Sequence, residues 1–132
     1  MEFTDWKNNN PKILIVDDLG SARKIISKFL TKIGLTNIVE ATNGEEALDL
    51  IQKEKINIVI SDWEMPKLNG LDLFKNLPLD EETRPQAFIM VTSHSVKEKV
   101  LSALEMGVSD YVLKPFDEKI LESKLTKIAE KF

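Results

Sequence analysis

The 132-residue chain has no cysteine and only one histidine. The first absence excludes disulfides and thiolate metal sites and gives no hint of an oxidising compartment. The second leaves zinc short of its usual nitrogen and sulfur ligands. No apolar run approaches the ~18 residues a spanning helix needs. The opening residues, Met1-Glu2-Phe3-Thr4-Asp5-Trp6-Lys7, lack the apolar stretch of a secretory signal. A cytoplasmic protein without membrane contact is therefore expected. The net charge of −4 argues against a direct nucleic-acid partner, because phosphate contacts require a basic face. Neither an internal repeat nor a low-complexity segment interrupts the chain.

What is there suits one soluble domain with one core: 42% hydrophobic and 30% charged residues. Residues 1–11 read as a flexible N-terminal tail, separated from the rest by the turn-prone Asn8-Asn9-Asn10-Pro11. Residues 12–132 alternate apolar runs with helical patterns. Ala22, Ile25, Ile26, Phe29, Leu30 and Ile33 follow the spacing of an amphipathic helix, with Gly34 as its stop. Asn43 and Glu46 predict a capping box before a helix through about Glu54, and Ser95 with Glu98 repeats the signal. Leu121, Leu125, Ile128, Ala129 and Phe132 form the stripe of a last helix. Nearly continuous apolar strands are buried on both faces, so the sheet is parallel and covered by helices on each side, with the shorter, more polar Asn37-Ile38-Val39-Glu40-Ala41 suited to its edge. The fold class is α/β: a flavodoxin-like, doubly wound (βα)5 three-layer sandwich with strand order 2-1-3-4-5.

The polar ends of these runs carry the chemistry. Ile13-Leu14-Ile15-Val16 closes on Asp17-Asp18, and Ile56-Asn57-Ile58-Val59-Ile60 closes on Ser61-Asp62. Two later runs end at Thr92 and at Lys114-Pro115. A lone aspartate at a strand end is more often a turn former or a helix cap than a ligand. Here all five groups fall on one edge of one parallel sheet. Crowded carboxylates resist ionisation unless a positive charge balances them, and Mg²⁺, which prefers oxygen ligands, is the natural cofactor. A carboxylate beside Mg²⁺ can also attack phosphorus. Asp62 is the best nucleophile and Lys114 the best amine. Pro115 tolerates a cis bond that would aim the lysine. Thr92 offers a hydroxyl to a phosphoryl oxygen.

The stretches Ile15-Val16-Asp17-Asp18, Ser61-Asp62-Trp63-Glu64-Met65-Pro66, Asn69-Gly70, Val91-Thr92-Ser93 and Tyr111-Val112-Leu113-Lys114-Pro115-Phe116 resemble the receiver domains of two-component signalling. The resemblance implies that Asp62 accepts a phosphoryl group from a histidine kinase. It implies that Asp17, Asp18, Asp62 and the backbone carbonyl of Glu64 hold Mg²⁺, with Thr92 and Lys114 on the phosphoryl group. Trp63, Arg23, Lys24 and Tyr111 make the likeness greatest to single-domain chemotaxis regulators. Such a protein would not be an enzyme in its own right; it assists its own phosphotransfer and dephosphorylation. Tyr111 would act with Thr92 as a switch. The switch would remodel a partner face built on the helix after the fourth strand, the fifth strand and the last helix. Lys97, Val100, Ala103, Tyr111, Leu113, Lys124 and Lys127 would contribute to that face. The implied partners are a CheA-like kinase and a FliM-like flagellar switch protein, met by a monomer.

Two positions depart from the chemotaxis pattern. Glu64 stands where an asparagine is usual, and His94 where an acid is usual; both flank the path of hydrolytic water and would tune phosphoryl lifetime. Alternative readings are a receiver from another two-component pathway, excised from a larger regulator or acting as a phosphate sink, and an aspartate-nucleophile phosphatase. Asp17-Asp18-Leu19-Gly20 lacks the Asp-x-Asp that the phosphatase needs.

Overall fold

The apolar central strands need helices on both faces, and the chain supplies them. The computed structural model describes residues 1–93 and 97–132, with backbone only at 97 and 98. His94, the Ser95 cap and the Lys97 side chain therefore lie outside the described residues. Five strands, β1 (Ile13–Val16), β2 (Ile38–Ala41), β3 (Ile58–Asp62), β4 (Ala87–Thr92) and β5 (Asp110–Leu113), pair in parallel in the order β2-β1-β3-β4-β5. The expected flavodoxin-like topology is observed.

Side chains alternate across the strands. Ile13, Ile15, Ile58, Ile60, Ile89, Val91 and Val112 meet one helical layer, formed by α2 (Gly20–Ile33) and α6 (Glu118–Ala129). Leu14, Val16, Val59, Phe88 and Met90 meet the other, formed by α3 (Gly44–Lys53), α4 (Gly70–Lys75) and α5 (Lys97–Glu105). Burying each such aliphatic side chain contributes about 1.5–3 kcal/mol before entropy is counted.

Local signals set the helix ends. Asn43 accepts from the Glu46 amide, Asn69 from the Asp72 amide and Asp117 from the Ile120 amide. Glu46 turns its carboxylate to the Thr42 hydroxyl at 3.0 Å, so the box at α3 is closed one residue early. Gly34 ends α2 at φ 104°, a left-handed conformation that glycine adopts without a Cβ clash. One residue of the predicted α2 stripe departs: Ile25 is 53% exposed and lines a groove rather than the core.

Residues read as a tail form a sixth helix, α1 (Phe3–Asn8). Trp6 is 3% exposed, stacked on Phe3 (5.9 Å between centroids) and met at a tilt by Phe132 (6.3 Å). Lys7 Nζ donates to the Ile33 carbonyl, an open acceptor at the end of α2, at 3.0 Å. The correction has a tertiary cause: Phe132, from the other end of the chain, meets Trp6 of α1 beside α6.

Candidate functional site

In a doubly wound sheet the loops part where strand order reverses, leaving a crevice at the carboxyl ends. Here that place lies between β1 and β3, whose ends carry Asp17, Asp18 and Asp62. Each offers a carboxylate oxygen, and these oxygens lie within 4.8 Å of one another. Asp17 is buried, Asp62 half-buried and Asp18 exposed. The donor set is all oxygen and opens toward solvent, which fits a hard cation that keeps part of its water shell.

Lys114 brings the balancing charge from the end of β5. Its Nζ lies 3.2 Å from Asp17 Oδ2 and 3.4 Å from Asp62 Oδ1. The Lys114–Pro115 peptide bond is cis, as the sequence suggested. Burial pulls the lysine pKa down, but Asp62 and then Asp17 outweigh it, and the ammonium form is held above its ordinary range. Burial pushes the Asp62 carboxyl up; Lys114 opposes this and Asp17 adds to it, leaving the pKa raised.

Backbone contacts hold the acids in place. Asp17 Oδ1 accepts from the Leu19 amide at 3.0 Å, and Arg23 Nη1 donates to the Asp17 carbonyl at 2.8 Å. Arg23 Nε also pairs with Glu40 at 3.0 Å, tying the start of α2 to β2. Lys24 is exposed. The buried Thr92 lies at the end of β4, opposite Leu113 of β5, and its carbonyl accepts from the Lys114 amide at 2.8 Å. The two groups expected to contact a phosphoryl oxygen thus come from adjacent strand ends.

The loop after Asp62 is drawn against the site by two glycines. Gly70 N donates to the Trp63 carbonyl at 2.7 Å. A Cβ on Gly70 would overlap the Asp62 carbonyl oxygen and lie 2.8 Å from Met90 Sδ. A Cβ on Gly44 would lie 2.7 Å from Leu68 Cβ. The importance of Gly44 was missed from sequence, although Asn43-Gly44 after a strand carried the hint. Glu64, in this loop, is exposed.

The residues expected to form a partner face divide. Tyr111 is half-buried, Leu113 is 40% exposed and Lys127 is exposed. Lys124 pairs with Asp110 at 3.0 Å. Val100 and Ala103 point inward, only 8% and 2% exposed, while Leu101 and Leu104 occupy the open side of α5. The helix phase places them so: α5 turns its smaller residues toward the sheet. Among the described residues, no helix is long and apolar enough to cross a membrane.

A flavodoxin-like sheet with three carboxylates and a lysine at its switch point defines a receiver fold. The response regulator receiver domain family matches residues 13–126, and the chain belongs to it. It is 40% identical over 124 residues to the chemotaxis protein CheY-3 of Vibrio cholerae, covering 94% of this chain and 95% of that protein. It is also 40% identical over 118 residues to the chemotaxis protein CheY homolog of Campylobacter jejuni, covering 89% and 91%. The solved structure of Vibrio cholerae CheY4, crystallised at low pH, superposes with a TM-score of 0.80 at 29% identity, covering 89% of this chain and 98% of that one.

Proposed function

We propose that this chain is a phosphorylation-activated response regulator that acts in chemotaxis, a role supported by two relatives at 40% identity that are chemotaxis proteins. The observation that carries the reading is Lys114 Nζ within 3.4 Å of Asp62 in a crevice shared with two further acids. Asp62, ionised, attacks the phosphorus of a phosphohistidine on a histidine kinase. The new P–O bond forms as the P–N bond breaks, and the imidazole leaves with a proton. Lys114 and Thr92 then take the phosphoryl oxygens. Asp17, Asp18, Asp62 and the Glu64 carbonyl would hold Mg²⁺, which supplies positive charge against the acids and the transferred group. Glu64 and His94 would set the rate of hydrolysis.

The phosphoryl group favours the conformation that contacts it best, so phosphorylation shifts a population. Thr92 moves toward the phosphoryl oxygens and Tyr111 follows, changing the face made by α5, β5 and α6. The partner read there is a FliM-like segment, and the phosphodonor is a CheA-like kinase.

The test is a titration with Mg²⁺ and beryllofluoride, an aspartyl-phosphate mimic. Trp63 fluorescence reports the site; Trp6, the other tryptophan, belongs to the opposite face of the sheet. Anisotropy of a labelled amino-terminal FliM peptide reports output. Joint responses support the proposal. A Trp63 response without peptide binding assigns the chain to another two-component output, and a silent Trp63 overturns the phosphoacceptor reading.

A further inference from the structure

We propose that Lys124 is a positioning residue that latches the ring of Tyr111 through Asp110 and so holds the receiver in its resting state. The inference rests on the phosphoacceptor reading and adds a device to it.

Three contacts form the latch. Asp110 Oδ1 accepts from the Tyr111 backbone amide at 2.8 Å. The same oxygen accepts from Lys124 Nζ at 3.0 Å. Lys124 Nζ also stands 5.3 Å from the centroid of the Tyr111 ring. One carboxylate oxygen therefore joins the backbone of β5 to a cation on α6, and that cation covers the ring next to the anchor. The Lys124 and Asp110 side chains are only 26% and 21% exposed, so water screens the pair less than it screens an open surface ion pair. A cation over an aromatic face adds attraction of its own.

Among the described residues, the space beside Thr92 is too small to seat the ring. The gap beside Thr92, lined by Trp63, Glu64, Thr92, Lys99 and Val100, measures about 10 Å³. That is room for about one water and far less than a phenol ring requires. Tyr111 can move toward Thr92 only if the gap opens, and in moving it gives up Lys124. Every contact the ring makes with that cation thus favours the resting arrangement, and phosphorylation must overcome it. Once the ring has gone, Lys124 stands uncovered on a face that already carries Lys127 and Leu113.

Tyr111 is the only tyrosine in the chain, so 3-fluorotyrosine labelling gives a single fluorine resonance that reports this ring alone. The intact chain is compared with Lys124→Met, Asp110→Asn, Lys124→Arg and Lys127→Met. Without ligand, Lys124→Met and Asp110→Asn are expected to displace the resonance. Each should also lower the beryllofluoride concentration for half-response of Trp63, with Mg²⁺ present, by roughly threefold to tenfold, the range expected for losing a partly screened pair and a cation–π contact. Lys124→Arg, which keeps the cation and can still stack, should behave like the parent. Lys127→Met makes the same charge change without these contacts and should leave the ring where it was. An unmoved resonance in Lys124→Met, or an equal displacement in Lys127→Met, would overturn the latch. A silent Trp63 in the parent counts against the phosphoacceptor reading. A responding Trp63 with an unmoved ring in Lys124→Met counts against the latch alone.

Discussion

Lys114 Nζ lies 3.4 Å from Asp62 Oδ1, and yet Asp62 still holds its proton more tightly than an ordinary aspartate. Burial is the larger influence, and the neighbouring Asp17 reinforces it. The lysine moderates this cost without cancelling it, so ionising Asp62 at neutral pH works against the fold, as a group held for the proposed chemistry would.

The first prediction concerns pH. Asp62 has a folded pKa above its unfolded value, so between the two the native state binds more protons. Its contribution to stability therefore falls as pH rises from the ordinary carboxylate value through the folded one. Asp62→Asn removes that loss. At neutral pH its melting temperature should exceed the parent's. Below the ordinary carboxylate range the two curves should converge. Calorimetry across pH measures this, and an Asp62→Asn variant that melts below the parent at neutral pH would contradict it.

The second concerns the metal. Mg²⁺ at about tenfold its dissociation constant should stabilise the parent by about 1.4 kcal/mol, and chelation should reverse the gain. Asp17→Asn and Asp62→Asn should each lose most of it. Thermal melts with Mg²⁺ and with EDTA decide the point, and equal gains in the parent and in Asp17→Asn would remove Asp17 from the ligand set.

The third concerns Gly70. Its missing Cβ lets the start of α4 lie against the Asp62 carbonyl. Gly70→Ala should cost about 1–3 kcal/mol through overpacking. It should also weaken the beryllofluoride response of Trp63, because relief of the clash displaces the end of the strand that carries Asp62. Denaturant melts and the same titration measure both effects, and an unchanged response would show that the strand end tolerates a methyl group.

The fourth concerns α1. Trp6→Ala removes a ring from a nearly closed site between Phe3 and Phe132 and should cost about 3–5 kcal/mol. Urea unfolding gives the figure. A loss below about 1 kcal/mol would mean that α1 adds little to the fold.

Most of the sheet could be read directly, because a run such as Ile13–Val16 is apolar without interruption and closes on a polar residue. The site followed from the sheet: once the strands are parallel, Asp17, Asp62, Thr92 and Lys114 share an edge. What escaped the sequence was tertiary. Six residues are too few to show a helical period, so α1 was hidden behind the turn signal of Asn8-Asn9-Asn10-Pro11. Ile25 matches the apolar spacing of α2, yet it sits at the margin of the stripe, where the neighbouring layer ends. Val100 and Ala103 required the phase of α5 against the sheet. The joining of Lys124 to Asp110 and Tyr111 depends on where α6 settles beside β5, which no local pattern records.

Thr92 and Leu113 are paired in register, and Lys114 follows directly, its amide bound to the Thr92 carbonyl. Leu113 is also open to solvent. On the proposed reading, reception and display would therefore meet on one rung of the ladder, beside the ring that carries the switch. The memory of such a device would lie in the covalent bond itself, and its output would fade as fast as the phosphoryl group is lost.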